Sequence, residues 1–181
     1  MKIVETALPE VLLLQARVFS DDRGLFFESY NHQAMAEAGL PTEWVQDNTS
    51  ISKKNVLRGI HYQIIQPQGK LVWVAQGAVL DVAVDLRRSS PFFGRHVAVE
   101  LRSGTGDMLW IPPGFGHGFV VLSDSASFAY KVTDYYCAAG ERTILWDDPA
   151  LDIQWPVGAA DVILSPKDRE GLPLGQAEVF S

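Results

Sequence analysis

Short segments in which apolar and polar residues alternate recur along the chain and predict β-strands. Residues 79–86, 96–101 and 127–133 show this alternation, and residues 71–75 and 108–111 are shorter apolar runs of similar kind. A period of two is typical of half-buried strands, because successive side chains point to opposite faces of a sheet. Many short strands, separated by turns that contain Gly and Pro, favour an antiparallel sandwich or barrel.

One segment, residues 32–38, is predicted to form a short helix. Asn31 can cap its first turn, and Gly39 followed by Pro41 is expected to end it. Residues 156–181 contain several Pro and Gly residues and are predicted to be irregular. The sequence contains no repeat and no convincing linker, so we expect residues 1–181 to form a single domain.

The composition excludes several classes of protein. The chain has 181 residues, about the length of one domain, and its 47% apolar and 20% charged residues exclude a disordered chain. The net charge is −7 and no run of Lys and Arg is present, so a general nucleic-acid-binding protein is excluded. An acidic protein can still bind an anionic ligand, but only through a few locally placed cations.

The chain also has no feature of a secreted or membrane protein. Its first residues lack the apolar stretch of a signal peptide, and no uncharged apolar run reaches the ~18 residues of a membrane span. Cys137 is the only cysteine, so no internal disulfide can form. We therefore expect a cytoplasmic protein that has no membrane partner.

Two stretches carry most of the candidate chemistry. In residues 106–117, the spacing of Gly106, Pro112, Gly114 and His117 resembles the second sequence motif of the cupin superfamily. Residues 58–77 resemble the first cupin motif in an altered form. The resemblance implies an all-β, double-sheet jelly-roll barrel.

The alterations in the first motif argue against a bound metal. Metal-binding cupins have a His-x-His pair, whereas this chain has His61 and then Gln63. Where those cupins have a ligating Glu, this chain has Lys70, and an ammonium group is only a hydrogen-bond donor. His61 and His117 alone are too few for the usual three-ligand catalytic site. We expect neither a metal nor another cofactor.

Motifs along nearly the whole chain resemble the dTDP-4-dehydrorhamnose 3,5-epimerases, in the order found in that family. They lie at residues 21–28, 46–48, 57–63, 69–72, 81–87, 114–119, 130–131, 146–149 and 164–168. Any one of them is weak, but together they are highly specific. The resemblance implies epimerisation of dTDP-4-dehydro-6-deoxyglucose at C3 and C5 to dTDP-4-dehydro-L-rhamnose. It also implies a homodimer with exchanged N-terminal strands.

The family resemblance implies a role in the reaction for four residues. His61 corresponds to the general base, and Asp168, in the segment 156–181, corresponds to the carboxylate paired with it. Tyr130 corresponds to the general acid on the other face of the sugar. Lys70 corresponds to the cation that stabilises the enolate oxygen. This assignment requires residues 156–181 to fold back over the active site.

The same resemblance implies substrate contacts from seven further residues. Arg23 and Arg58 correspond to pyrophosphate contacts, and His117 to a residue that lines the site near the sugar. Contacts to the nucleotide or its neighbourhood are implied for Phe26, Glu28, Gln46 and Asn48. Two positions depart from the family: Trp73 stands where an Arg is common, and Gly116 where an Ala is common. Neither removes a reacting group, but Trp73 leaves the sugar preference open.

The residue types suit this chemistry independently of the resemblance. Removing a proton beside the C4 ketone of a 4-keto sugar gives an enolate with its charge on O4. Histidine, with a pKa near ~6.5, is a natural base, and a positioned cation stabilises the developing charge. Inversion also requires a proton donor on the opposite face, and a tyrosine stays protonated at neutral pH because its pKa is ~10.

Simple strand alternation raises one difficulty, because Arg58 and His61 are three residues apart and would point to opposite faces. A bulge at Gly59, or a strand that ends at Arg58, would bring both to one site. Gln46 and Asn48 are two apart and can share a face.

Three alternative functions stay open at this point. The nearest is a single-centre epimerase of the same family in another deoxysugar pathway, whose site residues would look alike. A metal-dependent cupin oxygenase is disfavoured by Gln63 and Lys70. A non-catalytic jelly roll that binds sugar nucleotides would have no need for a His–Asp pair that faces a Tyr.

Overall fold

Two antiparallel β-sheets make up most of the protein in the computed structural model, which covers residues 1–181. The strands are β1 (Lys2–Glu5), β2 (Leu12–Gln15), β3 (Val18–Asp21), β4 (Gly24–Phe27), β5 (Gln46–Lys53), β6 (Leu57–Gln63), β7 (Lys70–Gln76), β8 (Ala78–Asp85), β9 (His96–Arg102), β10 (Asp107–Ile111), β11 (Phe115–Val121), β12 (Ser125–Val132) and β13 (Glu141–Thr143). The helices are α1 (His32–Glu37) and α2 (Pro166–Arg169).

The two sheets face each other across one apolar core. One sheet has the order β1-β2-β10-β7-β12-β5 and the other the order β13-β6-β11-β8-β9, while β3 and β4 form a separate hairpin. The core draws Val72 and Phe128 from the first sheet and Val79 and Phe119 from the second. This arrangement confirms the predicted all-β, double-sheet jelly roll.

All five predicted strand segments are strands, but β8 is covered on both faces and not on one. Val79 and Ala83 point into the core between the sheets. Val82 and Val84, on the other face, pack in a second cluster that includes Leu174 near the C-terminus. The expectation of a half-buried strand is therefore wrong for β8, because residues far along the chain return to cover its outer face.

The helix predicted at residues 32–38 is confirmed as α1. The Asn31 side chain accepts a hydrogen bond from the Ala34 backbone N–H, which caps the first turn. Gly39 adopts a φ of +70°, a left-handed conformation that ends the helix. No helix of the protein is long and apolar enough to cross a membrane.

The C-terminal segment is more regular than predicted, because it contains α2. Ser165 and Asp168 form a reciprocal capping box around this single turn, and Pro166 occupies its first position. Helical periodicity cannot reveal four residues, so the prediction of a wholly irregular segment 156–181 is corrected.

Contacts along its length hold the C-terminal region against the five-stranded sheet. Isolated parallel bridges join Ile163 to Val56, Leu172 to Ile144 and Phe180 to Arg87. The buried Asp148 carboxylate accepts a hydrogen bond of 2.6 Å from the Leu174 backbone N–H. These contacts bring α2 against β6.

Candidate active site

A cavity of about 460 Å³ lies between the two sheets, and both sheets contribute side chains to its wall. Seven of the eleven predicted site residues line it: Gln46, Asn48, Arg58, His61, Lys70, His117 and Tyr130. Asp168 lies directly behind this wall, whereas three predicted residues lie elsewhere.

His61, on β6, pairs with Asp168, on α2. The His61 Nε2 atom lies 2.6 Å from the Asp168 Oδ1 atom, although the two residues are far apart in the sequence. Burial lowers the pKa of His61 below its ordinary value of 6.5, and the hydrogen bond to the Asp168 carboxylate opposes this shift. The imidazole is therefore neutral at neutral pH, as a general base must be.

Asp168 is held in its ionised form although only 2% of its surface is exposed. Burial alone would raise its pKa, but hydrogen bonds from His61 and Ser165 outweigh that effect and lower the pKa to about 2. The carboxylate can therefore fix the imidazole and stabilise a positive charge on it.

Lys70, at the start of β7, is a buried cation whose ammonium group makes no hydrogen bond or ion pair within the chain. Burial lowers its pKa to about 8, and the charge of Asp81 limits this shift. An unpaired ammonium group beside a cavity is available to an anionic or carbonyl oxygen of a ligand.

Tyr130 approaches the cavity from the wall opposite His61, because β12 belongs to the six-stranded sheet and β6 to the other. Burial raises the pKa of Tyr130, so its phenol stays protonated at neutral pH. Asn48 pairs in register with Tyr130 on the neighbouring strand β5. The Gln46 Nε2 atom donates a 2.8 Å hydrogen bond to the Asn48 Oδ1 atom, so these two amides share a face as predicted.

A bulge in β6 explains how Arg58 and His61 reach the same cavity. His61 pairs with His117 on β11, but Arg58 pairs with Phe119, so β6 has one extra residue between the two pairs. Gly59 lies there with a φ of +138°. Of the two explanations that the sequence left open, the structure shows the bulge.

A second His–Asp pair lies deeper between the sheets. The His117 Nε2 atom lies 2.8 Å from the Asp81 Oδ2 atom, and Asp81 is fully buried. The other carboxylate oxygen of Asp81 has no hydrogen-bond partner. Sequence reasoning did not identify Asp81 as a site residue. A carboxylate within the alternating pattern of residues 79–86 was the available signal.

Arg23, Phe26 and Glu28 do not reach the cavity. They lie on or just after the β3–β4 hairpin, which pairs with neither main sheet. Arg23 forms an exposed ion pair of 2.6 Å with Asp21, and Phe26 is 70% exposed. Glu28 accepts a 2.7 Å hydrogen bond from the Asn31 amide. Within one chain, these three residues are therefore separate from the site that the other eight predicted residues form.

Lys167, Glu141 and Tyr136 are among the further cavity-lining residues that sequence reasoning missed. The Lys167 ammonium lies 2.7 Å from the Glu141 carboxylate, to which the Tyr136 hydroxyl also donates a hydrogen bond. Lys167 precedes Asp168, and that adjacency was the available signal. The Lys167–Glu141 ion pair joins α2 to β13 beside His61.

Gln63, at the altered ligand position of the first motif, makes three hydrogen bonds to the backbone. Its Nε2 atom donates to the Gln66 and Tyr135 carbonyls, and its Oε1 atom accepts from the Cys137 N–H. No group of three or more His, Cys, Asp or Glu side chains is arranged to hold a metal ion. The expectation of a metal-free and cofactor-free enzyme stays a prediction.

Comparison with known proteins decides the family. The sequence model of the dTDP-4-dehydrorhamnose 3,5-epimerases matches residues 5–176. The chain belongs to this family.

Relatives within the family are similar over almost the whole chain. The dTDP-4-dehydrorhamnose 3,5-epimerase of Pseudomonas aeruginosa is 54% identical and covers 99% of each chain. A dTDP-6-deoxy-D-glucose-3,5-epimerase of Legionella pneumophila, solved with dTDP-4-keto-L-rhamnose, is 47% identical with a TM-score of 0.94, covering 98% of this chain and 94% of that one. A dTDP-4-dehydrorhamnose 3-epimerase of Streptomyces niveus is 39% identical over 87% of this chain and 76% of its own.

Proposed function

We propose that this protein epimerises dTDP-4-dehydro-6-deoxyglucose at C3 and C5 and so produces dTDP-4-dehydro-L-rhamnose. One geometric observation carries the proposal beside family membership. His61, backed by Asp168, and Tyr130 approach one cavity from opposite sheets, and Lys70 adds a cation to the same wall as Tyr130. Inversion of a carbon next to a ketone requires a base, an acid on the opposite face and a positive charge at the ketone oxygen.

In the first step, the neutral His61 removes a proton from a carbon next to the C4 ketone. The imidazole gains this proton, and the ionised Asp168 stabilises the resulting imidazolium. General-base catalysis of this kind contributes about 10²–10⁴-fold to a rate. Residues 156–181 thus form part of the proposed active site, because they carry Asp168.

The electron pair left on carbon moves to O4 and gives an enolate. The Lys70 ammonium, which has no partner of its own, is the cation that we assign to O4. A fixed donor at a developing oxyanion is worth roughly 10²–10³-fold in rate.

In the second step, the Tyr130 hydroxyl donates its proton to the same carbon from the opposite face, which inverts the centre. His61 then carries an extra proton and Tyr130 lacks one, so both must exchange with solvent before the next step. C3 and C5 flank the same carbonyl, and therefore one set of groups can serve both centres in turn.

The substrate-binding residues extend the proposal to the nucleotide. Four of the predicted contacts to a sugar nucleotide line the cavity: Arg58, Gln46, Asn48 and His117.

For Arg23, Phe26 and Glu28, we propose a homodimer in which the β3–β4 hairpin of one protomer reaches the cavity of the other. The exposure of Phe26 on a hairpin outside both sheets supports this part. A cytoplasmic location stays a prediction.

Isotope exchange tests the reaction. With the purified protein and the 4-keto sugar nucleotide in deuterium oxide, we expect deuterium at both C3 and C5 of the product. Tyr130→Phe should still remove protons through His61, so exchange at the first carbon should be slowed less than inversion. The position of the label, measured by NMR and mass spectrometry, reports both effects.

Two outcomes would favour other functions. Label at only one carbon after long incubation would favour a single-centre epimerase, the activity named for the Streptomyces niveus relative. Tight binding of the sugar nucleotide without exchange at either carbon would favour a non-catalytic binding protein.

A further inference from the structure

The Ser165 side chain makes two different contacts with Asp168. As the N-cap of α2, its Oγ atom accepts a 3.2 Å hydrogen bond from the Asp168 backbone N–H. The same hydroxyl donates a 2.6 Å hydrogen bond to the Asp168 Oδ2 atom. An N-cap needs only the first of these contacts, so the second requires another explanation.

The four donors around Asp168 divide evenly between its two carboxylate oxygens. The Oδ2 atom accepts from the hydroxyl and the backbone N–H of Ser165, the latter at 3.3 Å. The Oδ1 atom lies 2.6 Å from His61 Nε2 and accepts a 3.3 Å hydrogen bond from the Gly59 N–H. Rotation of the carboxylate would break contacts at both oxygens, and its burial prevents water from replacing them.

We propose that Ser165 is a positioning residue for epimerisation, because its hydroxyl holds the Asp168 carboxylate in the orientation in which Oδ1 meets His61. This inference rests on the proposed function, in which His61 is the base. Ser165 does not line the cavity, so it acts through Asp168 and not on the substrate.

The shortness of α2 makes such a contact necessary. A helix of one turn has almost no stability of its own, because helix nucleation is unfavourable. Its side chains therefore depend on individual contacts for their orientation. On one side, the Lys167–Glu141 ion pair holds the helix to β13. On the other side, the Ser165 hydroxyl is the only side-chain donor to Oδ2.

A double-mutant cycle separates positioning from simple capping. Ser165→Ala should lower kcat roughly 10-fold, because a misplacement of about 1 Å near a reacting group can cost up to about 10²-fold in rate, and should leave KM unchanged. In the Asp168→Asn background, the same substitution should lower kcat no further. Ser165→Thr, which keeps the hydroxyl, should restore kcat. The melting temperature should fall in both backgrounds, because the cap is lost in both.

Ser123→Ala is the matched control. The Ser123 hydroxyl also has both an accepting and a donating role, since it accepts from the Ala78 N–H and donates to the Ser125 carbonyl, and it lies outside the cavity. This variant should lose stability and keep its kcat.

A measurement on the substrate-free protein is independent of turnover. The ring nitrogens of His61 can be titrated by NMR, and the hydrogen bond to the Asp168 carboxylate raises the pKa of that ring. A carboxylate that is free to turn should lower the pKa of His61 in Ser165→Ala but not in Ser165→Thr. The other charges near the ring belong to Lys70, Lys167 and Glu141 and are unchanged in both variants.

The two measurements distinguish the possible failures. An unchanged His61 pKa in Ser165→Ala, or an equal loss of kcat with and without Asp168, would overturn the positioning role. If the wild-type protein gave no exchange with the 4-keto sugar nucleotide, the proposed function would fail. The NMR titration would still decide whether Ser165 orients the pair.

Discussion

Lys70 shows how one buried side chain sets the conditions under which this site can work. Its ammonium group has no hydrogen-bond or ion-pair partner within the chain, so burial is the main influence on its pKa and lowers it to about 8. The charges of Asp81 and Glu141 raise this pKa and that of Lys167 lowers it. Lys70 is thus charged at neutral pH, but a small rise in pH is enough to neutralise it.

The pH dependence of kcat/KM follows from these residues. Lys70 is charged below its pKa, so we expect kcat/KM to fall as the pH rises through about 8. His61 is a base only when it is neutral, and its lowered pKa places the acidic limb below 6.5. A pH profile of kcat/KM, which reports the free enzyme, measures both limbs.

Lys70→Arg and Lys70→Met test the assignment of the alkaline limb. The guanidinium of Arg stays charged, so the residual activity of Lys70→Arg should not fall near pH 8. Below about pH 8, Lys70→Met should lose roughly 10²–10³-fold relative to the wild type, because no cation faces O4. An alkaline limb that survives unchanged in Lys70→Arg would assign the titration to another group.

At the scale of single elements, the strands were predictable because alternation is a local property. The bulge in β6 was only one of two options, because it depends on how Gly59 packs against β11. The cover over the outer face of β8 was not predictable, since Leu174 lies about 90 residues further along the chain. Within the site, the sequence identified His61 and Asp168 through family motifs, but no local pattern reveals the buried pairing of Asp81 with His117.

Gly59→Ala tests the bulge. A Cβ atom at Gly59 would overlap the Gly118 backbone, and the φ of +138° is unfavourable for Ala. We expect a loss of at least about 1–3 kcal/mol in the free energy of unfolding and a larger relative loss of activity, because Arg58 and His61 would no longer share the cavity. Urea unfolding and turnover assays measure the two effects.

Gly158→Ala is the matched control, because a Cβ atom there meets nothing within 4 Å. Its stability and turnover should stay close to those of the wild type. A Gly59→Ala protein that unfolds like the wild type and turns over normally would show that the bulge is not needed to bring the two side chains together.

At the scale of the whole molecule, eight of the eleven predicted residues gather at one cavity and three do not. Arg23, Phe26 and Glu28 belong to a hairpin outside both sheets. Within a single chain, the Phe26 ring contacts only Phe19 of the same hairpin among aromatic rings and stays 70% exposed. The proposed homodimer accounts for both facts, because each site would then combine the cavity of one protomer with the hairpin of the other.

Subunit complementation tests this arrangement. The His61→Ala variant should be nearly inactive because its cavity lacks the base. The double variant with Arg23→Ala and Phe26→Ala should also be nearly inactive, because its hairpin lacks the substrate contacts. In an equal mixture that is dissociated and reassembled, about half of the dimers are mixed, and each mixed dimer has one intact site of two. About a quarter of the wild-type activity should therefore return, whereas neither variant recovers activity when it is treated alone. If the hairpin served the cavity of its own chain, every site would keep one defect and the mixture would stay as inactive as its components, even where sedimentation shows that mixed dimers form.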